Sequence, residues 1–134
     1  MVLRKQQGLS ANERIKSKKT FNELYSSGKI LISRKKKIKS IYIIKENSGS
    51  GVKIAAVVSK KLGNAVWRNR IKRLIREAYR KNKTEIVLSA AAAGKSIDLI
   101  FSAYMLSEER NKKIRLDEVL PEILEIMKTI NQKI

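Results

Sequence analysis

Val58-Ser59-Lys60-Lys61-Leu62-Gly63-Asn64-Ala65-Val66-Trp67-Arg68-Asn69-Arg70-Ile71-Lys72-Arg73-Leu74-Ile75-Arg76-Glu77-Ala78-Tyr79-Arg80 is where the hydrophobic period of the chain changes, and that change decides the fold. From Val52 to Ser59 the residues are apolar on both faces apart from Lys53, the pattern of a central strand covered on both sides. Gly63 and Asn64 then punctuate a loop. Beyond it Trp67, Ile71, Leu74, Ile75 and Ala78 recur at i, i+4, i+7, i+8 and i+11, one apolar stripe of a helix expected over residues 67–81. Arg68, Arg70, Lys72, Arg73, Arg76 and Arg80 fill the remaining circumference. A buried strand that feeds an amphipathic helix points to an α/β layer architecture.

The flanking sequence supplies the other elements. Ser17 is placed to cap a short helix in which Phe21, Leu24 and Tyr25 share a face, with Gly28 as its stop. Residues 30–33 and 38–45 are β-branched and aromatic, and the cluster Arg34-Lys35-Lys36-Lys37 between them makes a hairpin. Asn47-Ser48-Gly49-Ser50-Gly51 reads as a turn. After the basic helix, the alanine-rich residues 84–93 form a short helix stopped by Gly94, and residues 97–103 a second buried strand. Leu116, Leu120, Ile123, Leu124, Met127 and Ile130 mark a last helix behind the candidate cap Asp117, with Pro121 near its start. Residues 1–16 have no sustained period and read as a basic, loosely held arm before a single domain over 17–134. The expected fold is an α/β sandwich of the α+β kind, order αβββαβα, around one mixed sheet.

Charge sets the function class. Lys and Arg number 31 against 12 Asp and Glu, a formal net charge of +19. Self-repulsion on that scale is most simply relieved by a phosphate backbone, whose condensed counterions are released on binding. The chain has neither Cys nor His. That removes the commonest general base, the Ser-His-Asp arrangement and most zinc sites, so no catalytic residue and no metal ligand is assigned to the protein. No apolar run reaches membrane-spanning length and the N-terminus lacks a secretory core, so the expected location is the cytoplasm, with no membrane partner. Nothing in the sequence requires a protein partner. On the helix, guanidinium groups at fixed spacing and the backbone N–H groups of its first turn both favour phosphate. Neutralising about six phosphates gives a log affinity that falls against log salt with a slope of roughly −4 to −5.

The run from Val58 to Glu77 also resembles, without a gap, the signature of the bacterial ribonuclease P protein family. Phe21 and Tyr25 before Gly28, and the strand around Tyr42, sit where that family has its first helix and the strand it faces. The resemblance implies a sheet with a left-handed βαβ crossover, a hand that the general rule disfavours. It implies a ribonucleoprotein endonuclease that removes the 5′ leader of precursor tRNA, in which the RNA subunit carries out the hydrolysis and needs Mg2+, and the protein itself binds no cofactor. Its partners would then be the catalytic RNA and the precursor tRNA. Arg68, Asn69, Arg70, Lys72, Arg73 and Arg76, with Lys60, Lys61 and Asn64 of the preceding loop, would face the catalytic RNA, mainly through phosphates. Phe21, Tyr25 and Tyr42 would stack on a single-stranded leader, an interaction that tolerates many sequences because every base has a π-face.

Competing readings remain open on the residues alone. Phe21 and Tyr25 at i, i+4 are by default a core stripe. The Arg34–Lys37 cluster is either an electrostatic surface or a device that blunts an edge strand. Phe101-Ser102-Ala103-Tyr104 stands where many members of the family carry an Arg, so no contact is carried over to that strand end. A ribosomal or RNA-assembly protein without a cleavage role shares the charge and the basic helix but does not explain the long signature. A DNA-binding helix lacks a helix before it to complete a helix-turn-helix.

Overall fold

A computed structural model describes residues 9–46 and 49–134 of the chain. In chain order the elements are α1 (Lys18–Ser27), β1 (Lys29–Ile32), β2 (Ile38–Glu46), β3 (Gly51–Val57), α2 (Ala65–Asn82), α3 (Thr84–Ala93), β4 (Lys95–Ala103) and α4 (Leu116–Gln132). Short 3₁₀ turns at Ala11–Glu13 and Lys60–Leu62 precede α1 and α2.

The strands form one mixed sheet of order β1-β2-β4-β3. β1 and β4 both run antiparallel to β2, while β3 lies parallel to β4, so α2 and α3 make the crossover between neighbouring parallel strands. This is the expected mixed sheet with helices. The central strands are β2 and β4, and β3 is an edge, contrary to the reading of residues 52–59 as central. Its apolar character has another cause: Val52, Ile54 and Ala56 pack under the helices. The free edge of β3 is partly closed where Arg14 bridges to Ile54 and Ile15 N–H donates to the Ile54 carbonyl at 2.9 Å.

That contact also moves the domain boundary. Residues 9–16 are not a loose arm in this fold: Ile15 is buried beside Leu24, Ile41 and Ile100, and Glu13 pairs with Lys83 at 2.6 Å. Burial alone would raise the Glu13 pKa, but the hydrogen bonds from Lys83 and Ser10 and the Lys83 charge outweigh it and hold the carboxyl below its usual value. Residues 1–8 of the expected arm, and Asn47 and Ser48 of the expected turn, lie outside the described residues.

Local signals mostly act as the sequence predicts. The Ser17 hydroxyl accepts from the Lys19 and Thr20 N–H groups and starts α1. Gly94, at φ 66°, ends α3 in the left-handed conformation that glycine adopts without a Cβ clash. Asp117 is not the cap of α4: Arg115 occupies that position, and Glu118 accepts from the Arg115 N–H at 2.9 Å while Asp117 sits in the first turn. Pro121 lies inside α4, toward its N-terminal end.

Candidate nucleic-acid interface

Alternation along the strands sorts the side chains onto two faces. Ile38 and Tyr42 of β2, Val52 and Ile54 of β3, and Ile97, Leu99 and Phe101 of β4 join one cluster with α2, α3 and α4. Ile41 and Ile43 of β2, Ala55 and Val57 of β3, and Ile100 of β4 belong to the other, where, among the described residues, Phe21, Leu24 and Ile15 lie over them. The first face is the closed core and the second is covered at one end.

On the closed face, α2 is held by residues from its own signature. Trp67, Ile71, Ile75, Ala78 and Tyr79 are buried. Asn64 caps the helix by accepting from the Trp67 N–H at 2.9 Å. Its own backbone N–H and side-chain amide donate to the Glu108 carboxylate at 2.8 and 3.0 Å. Gly63 is required here by close approach, since a Cβ would come within 2.6 Å of the Trp67 ring and 2.9 Å of Glu108 Cβ. The Trp67 indole N–H donates to the Asn111 carbonyl at 3.0 Å. The first turn of α2 is therefore not an open seat for phosphate: Asn64 is spent on the cap and a carboxylate already stands beside it.

The cations fall into two groups. Arg68 Nε donates to the Gly63 carbonyl at 3.1 Å, and Arg70 Nε to the Ile114 carbonyl at 3.2 Å with a second bond from its terminal nitrogen. Each guanidinium has five N–H groups, so both keep donors to spare while their forks are fixed in orientation. At about 100° per residue, Arg68 and Arg70 stand on opposite shoulders of the helix, and Asn69, Arg73 and Arg76 lie on the outward stripe between them. Those three are exposed, Lys72 is half-buried, and none of Lys72, Arg73 and Arg76 is in an ion pair among the described residues. Glu77, the one acid on the helix, is taken by Arg80 and Lys81, and the Arg80 hydrogen bond holds its carboxyl below the usual value. Lys60 and Lys61 are exposed on the 3₁₀ turn just before. Among the described residues no carboxylate neutralises the outward charge of Arg73 and Arg76.

Comparison with known proteins gives the family to which this disposition belongs. The profile of the family Ribonuclease P matches residues 9–128. The chain belongs to the ribonuclease P family. The ribonuclease P protein component of Macrococcus caseolyticus is 34% identical over 121 residues, 90% of this chain and 95% of that one. Among solved structures, the Staphylococcus aureus RNase P protein matches with a TM-score of 0.67 at 26% identity, over 88% of this chain and 94% of that one. The RNase P protein from Thermotoga maritima matches with a TM-score of 0.69 at 24% identity, over 87% and 96%, and so speaks for the shared fold.

The three aromatics assigned to a leader do not meet. Tyr42 is only 3% exposed and points into the closed core, on the opposite side of the sheet from Phe21. Phe21 is half-buried on the other face and Tyr25, at 56% exposed, is free on α1. The physical reason is that β2 is apolar at consecutive positions, Ile41, Tyr42, Ile43 and Ile44, so alternation alone does not say which set faces α1. Sequence reasoning missed Ile30 and Ile32, exposed on β1 and opposite Ile41 and Lys39 of the same open face. Lys39 Nζ lies 5.8 Å from the centroid of the Tyr104 ring, a cation–π distance. The signal was present in the β1 alternation, because Leu31 alone of the three packs into the core. Tyr79 is buried against Phe101 with ring centroids 6.2 Å apart. Burial raises its hydroxyl pKa.

Proposed function

We propose that this chain works as the protein subunit of ribonuclease P in the 5′ maturation of tRNA, holding the catalytic RNA with α2 and the precursor's leader on the open sheet face. The observation that carries the reading is the outward stripe of α2: Arg73 and Arg76 are in no ion pair among the described residues, and Arg68 and Arg70 are braced against the protein's own carbonyls on either side. A rigid, unpaired set of cations on a packed helix suits a phosphate backbone and needs little ordering on binding. Lys60 and Lys61 extend the same surface, whereas Asn64 contributes through the cap. Hydrolysis and its Mg2+ belong to the RNA in this reading. The leader would use Phe21 and Tyr25 with the apolar groups of β1 and β2, without Tyr42. The setting is the cytoplasm, and no helix among the described residues is long and apolar enough to cross a membrane.

The test is single-turnover cleavage of a precursor tRNA by a bacterial catalytic RNA at low magnesium, with and without the protein. Arg73→Gln with Arg76→Gln is the informative variant, because neither side chain is in an ion pair among the described residues, while Arg68 and Arg70 also brace the fold. Stimulation that requires the RNA and is lost in the variant is the expected result. A folded protein that binds RNA without stimulating cleavage would leave it a general RNA-binding protein.

A further inference from the structure

A second basic surface stands outside α2, on the turn from β1 to β2. Ser33 and Glu122 are both buried, and the Glu122 carboxylate accepts from the Ser33 hydroxyl and, at 3.3 Å, from the Lys37 N–H. Glu125 accepts from the Arg34 N–H at 2.9 Å. The Ser33 carbonyl accepts from Lys36 at 2.8 Å, and the carbonyls of Lys36 and Lys37 accept from the N–H groups of Met105 and Tyr104, both at 2.9 Å. This network holds Lys36 in the left-handed region at φ 63°, which a residue with a Cβ rarely adopts. Two carboxylates of α4 are thus spent on the Ser33 hydroxyl and on backbone N–H groups of the turn, and not on its cations. Arg34, Lys35, Lys36 and Lys37 are in no ion pair among the described residues.

Edge protection does not account for this arrangement. A strand edge is blunted by charges on the strand, and these four residues follow its last position, Ile32. Their place in the topology is more telling. The turn lies at the end of the sheet where β4 finishes at Ala103 and β3 runs out toward Lys60, Lys61 and α2. Three strand spacings of about 4.8 Å separate β1 from β3, so the two basic elements are on the order of 14 Å apart across that end. One connector braces both: Tyr104 and Met105 bond the turn, while Glu108, Asn111 and Ile114 bond Asn64, Trp67 and Arg70.

We propose that the β1–β2 turn is a second, preorganised phosphate clamp that grips the backbone of the same catalytic RNA as α2. The inference rests on the reading of the chain as the RNA-binding subunit and adds a surface to it. Its side chains act as point charges on a fixed turn, so they contribute affinity and orientation but no sequence preference.

The test is binding of the folded full chain to a bacterial catalytic RNA across a range of salt, with Arg34→Gln, Lys35→Gln, Lys36→Asn as the variant. Asn tolerates the left-handed position and every backbone bond is kept. Losing three phosphate contacts should make the log–log salt slope shallower by about 2 to 3 and weaken binding at physiological salt by roughly tenfold or more. Lys128→Gln with Lys133→Gln, on α4 and just beyond it, measures the effect of lowering net charge. An unchanged slope, or a loss per charge no greater than in that control, overturns the clamp. Should the triple variant unfold, Lys35→Cys gives a unique attachment point for a photo-crosslinker, because the chain has no cysteine. Crosslinks to the catalytic RNA in the holoenzyme are expected, and crosslinks to precursor tRNA alone, or to neither RNA, overturn it. Wild-type protein that fails to prefer the catalytic RNA over an unrelated RNA would instead overturn the subunit reading itself, and the clamp with it.

Discussion

The two faces of the sheet are built from the same kinds of residue and do different work. Beneath α2, α3 and α4, Ile71, Ile75, Leu99, Phe101 and Ile123 are fully excluded from water. Beneath α1, Ile15, Leu24, Ile41 and Ile100 are the buried apolar residues among those described, while Ile30, Ile32 and Tyr25 remain in solvent. Apolar area that folding leaves exposed contributes nothing to stability and is available to a ligand. The closed face is the source of stability, and the open face is the one the proposed leader contact would use.

That contrast is sharpest at Phe101. Truncation to Ala opens a cavity beside Tyr79 with no solvent route to fill it, and a loss of about 3–5 kcal/mol in a denaturant titration is expected. A loss under about 1 kcal/mol would mean that the closed face is not the stability core. Phe21→Ala, half-buried on the open face, should cost less in stability and act on binding: affinity for a precursor carrying a single-stranded leader falls about tenfold, the scale of one lost stacking contact. Affinity for a leaderless tRNA should hold, and an equal loss for both RNAs breaks the comparison.

Smaller effects test the borders of the two faces. The Glu13–Lys83 pair ties the N-terminal residues to the loop between α2 and α3. Because the folded-state pKa of Glu13 is lowered from 4.5, its stabilising contribution is complete above that value and is lost as pH falls through the depressed folded value. The stability advantage of wild type over Glu13→Gln should therefore be constant from neutral pH down to about pH 5 and vanish under more acid conditions. An advantage that persists in acid excludes the ion pair as its source. Tyr42→Phe should change leader affinity by less than about twofold, since the phenol faces the core; a tenfold loss, the scale of a stacking contact, would place it on the leader face after all.

Some of this molecule was legible without coordinates because the signals are local. The 3.6-residue stripe of α2, the Ser17 cap, the Gly94 stop and the run from Val58 to Glu77 each act within a few turns of chain. The sequence by itself therefore determined the element order, the basic helix, its outward cations and the family. Strand order was not legible, because β3 next to β4 rather than β2 depends on partners some 45 residues apart and an apolar strand reads alike at centre or edge. Nor was the side of Tyr42, because four consecutive apolar residues carry no alternation. The use of Glu122 and Glu125 to clamp a turn about 90 residues away, and of Glu108 to close the start of α2, is likewise decided only in three dimensions. A carboxylate's choice between a backbone N–H and a lysine is set by what burial brings within hydrogen-bond reach, and that is a property of the packed chain.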